Sequence, residues 1–80
     1  MLTIKVLGPG CANCKKLEEG ARQAVALAGV EAEVLKITDM GEIIAHDVLQ
    51  TPGLVINGKL VSSGRIPTAG TVADWLRAAG

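Results

Sequence analysis

The chain has 80 residues, enough for one domain with one core and too few for two, so residues 1–80 are read as a single domain. Eight Lys and Arg balance eight Asp and Glu, and no segment gathers like charges, so the electrostatic footprint of a nucleic-acid or anionic-membrane binder is missing. With no Phe or Tyr and one Trp in a chain that is 49% hydrophobic, the core has to be built from Val, Ile, Leu and Ala.

Residues 2–7, Leu-Thr-Ile-Lys-Val-Leu, form a short apolar and β-branched run ended by Gly8-Pro9-Gly10, which reads as a buried strand entering a tight turn. The opening stretch is too short to span a membrane and lacks the charged start and cleavage site of a signal peptide, so a cytoplasmic protein is expected. From Cys11 the period changes: Cys14, Leu17, Ala21, Ala24, Val25 and Ala28 fall at helical spacing until Gly29 stops the run. Gly20, inside that helix, is read as a site of close packing. Glu31 to Ile37 alternates as a second strand, and Asp39 followed by Glu42 resembles a capping box. The spacing then predicts a helix over about 40–49 that packs Met40, Ile43, Ile44 and Val48.

Thr51-Pro52-Gly53 breaks the chain before two apolar runs, Leu54-Val55-Ile56 and Leu60-Val61. Asn57-Gly58 joins them and signals a hairpin, because both positions tolerate positive φ. Ser62 to Thr68 reads as a loop, and a last helix over about 69–79 sets Val72, Trp75, Leu76 and Ala79 on one stripe. The order βαβαββα predicts an α/β fold. A right-handed crossover makes the first two strands parallel, the hairpin adds antiparallel ones, and three helices flank the resulting four-stranded mixed sheet. Helices one and three are expected on one face and helix two on the other.

Chemistry concentrates in the two cysteines. At the first turn of a helix, Cys11 sits beside unpaired backbone N–H groups and the positive end of the helix dipole, which favours thiolate over thiol. Cys14 lies almost one turn further along the same face, within reach of a disulfide with Cys11. The C-x-x-C pair follows a strand and opens a helix within a βαβ unit, the context in which it reads as redox chemistry. A second signal is Thr51-Pro52: a proline directly before an apolar strand fits a cis bond, leaving Thr51 to offer its N–H and C=O to an extended substrate. Lys15 and Lys16 are read as solvent-facing charges, and lone His46 receives no role.

These residues resemble the thioredoxin and glutaredoxin superfamily, most closely the small thioredoxin-like family called redox-active disulfide protein 2. Four stretches carry the resemblance: Gly10-Cys11-Ala12-Asn13-Cys14, Thr51-Pro52, Val55-Ile56-Asn57-Gly58 and Gly64-Arg65-Ile66-Pro67. It implies a thioredoxin fold with Cys11 as nucleophile, Cys14 as buried resolving thiol and Pro52 as a cis-proline facing them. Gly10, Ala12, Asn13, Thr51 and Pro52 would line the substrate. It further implies a monomeric thiol-disulfide oxidoreductase with no cofactor beyond its own disulfide. Its partners would be protein disulfide substrates and an upstream thiol reductase.

Three departures from thioredoxins stand out. No aromatic precedes Cys11, Ala12-Asn13 replaces Gly-Pro, and Lys5 occupies the place of the buried carboxylate six residues before the first cysteine. Glutaredoxins hold glutathione with a paired-glycine turn, which Ser63-Gly64 matches only in part. Two rival readings stand beside the redox one. A soft-metal carrier would also use C-x-x-C after its first strand, but such domains run βαββαβ and carry Met where Pro9 stands here. An interaction module whose cysteines are no longer turned over is the other.

Overall fold

In a computed structural model, the structure describes residues 1–10, 12–48 and 50–79. The elements run β1 (Leu2–Leu7), α1 (Ala12–Ala28), β2 (Ala32–Ile37), α2 (Met40–Ala45), β3 (Gly53–Ile56), β4 (Lys59–Ser63) and α3 (Ala69–Ala79). The sheet order is β2-β1-β3-β4. β1 runs parallel to β2 and antiparallel to β3, and β4 is antiparallel to β3. This is the α/β thioredoxin fold with a four-stranded mixed sheet and three helices, and its C-terminal helix separates it from the βαββαβ order of metal-carrying domains.

Alternation along β1 divides the core in two. Leu2, Ile4 and Val6 point to the side covered by α1 and α3, joining Leu17, Ala21 and Ala24 of α1 and Val72, Ala73 and Leu76 of α3. Leu7 joins Ile43, Val48 and Val55 on the α2 side. The small faces of Ala21, Ala24 and Ala73, all fully or almost fully buried, let α1 and α3 lie against the sheet and each other. Gly20 is not part of that contact: a Cβ placed there meets nothing, because its side of α1 faces away from the packed stripe.

The helix ends follow capping rules. Gly29, with φ +64°, donates its amide to Val25 O at 3.1 Å and closes α1 in a left-handed cap, while Arg77 Nη2 donates to Leu27 O at 3.0 Å. Asp39 caps α2, its carboxylate accepting the Glu42 amide at 3.1 Å. Thr68 caps α3 through the Thr71 amide at 3.2 Å.

Two boundaries differ from the sequence expectation. α2 stops at Ala45, not near residue 49. Asp47 turns to φ +60°, its amide donating to Ile44 O at 2.9 Å and the Val48 amide to Ile43 O at 3.3 Å. This is a Schellman closure in which Val48 folds back onto Ile43. Met40 and Ile44, expected to pack, remain 54% and 66% exposed. β4 in turn continues through Ser62 and Ser63, which pair with Leu54 and Gly53 past an irregularity at Leu54/Val55. Ladder hydrogen bonding, which residue type does not report, shortens the loop to residues 64–68.

Candidate redox site

The site forms where β1 ends, α1 begins and the chain enters β3. The tight turn after β1 uses Gly10 at φ +90°, a conformation that glycine adopts without steric cost. Cys11 lies outside the described residues. Ala12 and Asn13 are exposed on the first turn of α1, and Cys14, 3% exposed, leads the buried stripe of that helix and is disulfide-bonded. Lys15 and Lys16 project to solvent.

Thr51 and Pro52 approach from the other side. Their peptide bond is cis, Pro52 is buried and Thr51 is exposed. Two hydrogen bonds from the end of β4 and the residue after it hold this segment: the Gly64 amide donates to Pro52 O at 2.9 Å, and Ser63 Oγ donates to Gln50 O at 3.1 Å. Ser63-Gly64 thus anchors the Pro52 segment. Gly64 has φ +72°, and a Cβ there would come within 2.8 Å of Gln50 Cβ, so both backbone and space select glycine.

Gly8 joins the two halves. It is buried, and its amide donates to Ile37 O at 2.9 Å, tying the end of β1 to the end of β2. A Cβ at Gly8 would collide with Cys14 Sγ, and would lie 3.4 Å from Cys14 Cβ and 3.8 Å from Thr51 Cβ. Cys14 and Thr51 therefore border the same space beside Gly8, the buried sulfur and the exposed Thr51 both within reach of one added carbon. Sequence reasoning passed over Gly8 as one glycine of a turn. Its signal was spacing: it stands six residues before Cys14, at the end of the strand that delivers the helix.

Other residues singled out lie elsewhere. Lys5 is half-buried on the α2 side of β1, paired in register with Leu35 and Val55. Trp75 packs partly against the larger core and lines an open groove of about 610 Å³ with Val61, Ile66 and Pro67; that groove reaches Ser63 and Arg65 but not Cys14, Thr51 or Pro52. His46 is the C-cap of α2. Among the described residues no helix is long and apolar enough to cross a membrane.

A family model described as a thioredoxin domain matches residues 2–77. A protein of Methanothermobacter thermautotrophicus named thioredoxin is 42% identical over 66 residues, covering 82% of this chain and 86% of the relative. Another thioredoxin, from Methanocaldococcus jannaschii, is 35% identical over 77 residues, covering 96% and 88%. With the fold, the match across nearly the whole chain and these relatives in agreement, the chain belongs to the thioredoxin-domain family and is a thioredoxin-like redox protein.

Proposed function

We propose that the protein is a cytosolic, monomeric thiol-disulfide oxidoreductase that exchanges a reversible Cys11–Cys14 disulfide with protein substrates and needs no other cofactor. One observation carries this reading: the buried, disulfide-bonded Cys14 and the exposed Thr51 both border the space beside Gly8. A resolving sulfur has to be shielded from outside disulfides yet lie near the surface where substrate docks, and this arrangement meets both needs.

In the forward direction Cys11 thiolate attacks one sulfur of a substrate disulfide. A Cys11–substrate bond forms, and the substrate's other sulfur leaves as a thiolate that takes up a proton. Cys14 thiolate then attacks Cys11 Sγ, forming the intramolecular disulfide and expelling the substrate's second sulfur, also protonated. The substrate gains two electrons and two protons, and an upstream thiol reductase returns the protein to its dithiol. Gly10, Ala12, Asn13, Thr51 and Pro52 form the surface on which an extended substrate lies. Among the described residues no backbone hydrogen bond to Thr51 is formed, and Thr51 is exposed, which leaves it available for strand-like pairing.

Insulin-disulfide reduction driven by dithiothreitol tests the reading. Wild-type protein should accelerate it and Cys11→Ser should not; equal rates with and without the wild type would refute the assignment. Cys14→Ser should accumulate mixed disulfides with substrate that non-reducing electrophoresis resolves, since capture survives and release does not. Metal content of the purified protein is measured alongside, because stoichiometric thiolate-bound metal that blocks oxidation would favour the carrier reading.

A further inference from the structure

The contact between Gly8 and Cys14 differs in kind from the other glycine constraints. At Gly64 a positive φ already selects glycine, and at Gly53 a Cβ would press on the branched Val48 side chain at 2.9 Å. Gly8 has no such backbone requirement, since its φ lies outside the left-handed region. Its conformation suits alanine; the space does not. The atom in the way is Cys14 Sγ, the sulfur on which the proposed chemistry turns.

We infer that Gly8 is a positioning residue that sets the reduction potential of the disulfide, its missing side chain being the space that the oxidised Cys14 sulfur fills. The inference rests on the exchange reading above. In the oxidised protein Cys14 Sγ is tethered through its own Cβ and through the disulfide, so it cannot swing aside. In the dithiol the second tether is gone and the Cys14 side chain can reach another staggered rotamer. A methyl group at position 8 therefore crowds the oxidised form more than the reduced one. Interiors are packed densely enough that one added carbon is felt.

The equilibrium that reads this is reduction by glutathione. Two glutathione thiols give up two electrons and two protons and form glutathione disulfide, while the protein's S–S bond breaks and both sulfurs become thiols. Gly8→Ala should move this equilibrium constant toward the protein dithiol by tenfold or more, a potential about 30 mV less negative. Wild type and Gly8→Ala are equilibrated against graded ratios of reduced and oxidised glutathione, and thermal melts are recorded for both redox forms of each. The oxidised variant should lose more thermal stability than the reduced one.

An equilibrium constant within twofold of wild type, or equal losses in both redox forms, would overturn the inference. A double-mutant cycle covers a Gly8→Ala chain too unstable to titrate. In a Cys14→Ala background the sulfur is absent, and Gly8→Ala should shift the urea midpoint by less than a third of its effect on the oxidised wild type, or restore folding outright. An undiminished effect there would mean that the methyl group clashes with something other than the sulfur, and the inference would fail. A wild type whose thiols do not cycle with glutathione overturns the exchange reading and this inference with it; an inert Gly8→Ala in a cycling wild type overturns the inference alone.

Discussion

Single residues in this protein are constrained by space or by backbone conformation, and the two can be separated. Asn57 and Gly58, at φ +51° and +82°, make the two-residue hairpin turn whose twist matches the strands it joins. Asn57 adds a second function, its side-chain oxygen accepting the Thr3 amide at 2.9 Å while its own amide donates to Thr3 O at 2.8 Å, which extends the β1–β3 ladder past the last paired residue. Gly20 is the opposite case, a helical glycine with ordinary φ and open space around its missing side chain. Gly20→Ala should therefore stabilise the protein by about 0.5–1 kcal/mol through reduced unfolded-state freedom and better helix propensity. A urea midpoint that falls instead would show that this face of α1 packs against something. The turn at Asn57-Gly58 was plain in the sequence because backbone chemistry is local. The duties of Gly8 and the freedom of Gly20 were not, because both depend on what lies across the fold.

At the scale of elements, β1, β2, β3 and the long helices followed their periodicity closely, whereas the short helix and the end of β4 did not. Six residues of α2 make less than two turns, too few for periodicity to mark where the helix stops. The Schellman closure at Asp47 and Val48 then decides which apolar side chains are buried: Ile43, at 2% exposure, faces the sheet, and Ile44 faces water. Ile43→Ala should cost about 2–5 kcal/mol, as expected for a large-to-small change in a packed core. Ile44→Ala should stay within about 0.5 kcal/mol of wild type. Chemical denaturation of the two variants compares them directly, and similar losses would mean that α2 continues toward residue 49 and buries both.

Across the whole molecule the two sides of the sheet are unequal. Two helices and most of the buried side chains cover one face, while the other relies on one short helix over Leu7, Ile43, Val48 and Val55. Local stability follows the number of buried apolar contacts, so α2 should open more readily than the rest. Native-state hydrogen exchange should find the amides of α2 exchanging faster than those of β1, β3 and α1. Protection of α2 equal to that of β1 would contradict this ranking. The candidate site lies where β1 ends and the chain enters β3, so Cys14 and the Pro52 segment sit beside the two central strands of the sheet.

Sequence alone determined the element order, the parallel and antiparallel pairings, the capping of α2 by Asp39, the hairpin turn and the helix after β1 that carries Cys14. Each rests on periodicity, turn chemistry or spacing within a few residues, where covalent geometry limits the choices. Tertiary structure alone decided where α2 ends, how far β4 runs, that Ser63-Gly64 holds the Pro52 segment and that Cys14 and Thr51 both border the space beside Gly8. Those outcomes depend on which backbone groups find partners and which atoms compete for the same volume once distant segments meet, and neither is written in local pattern.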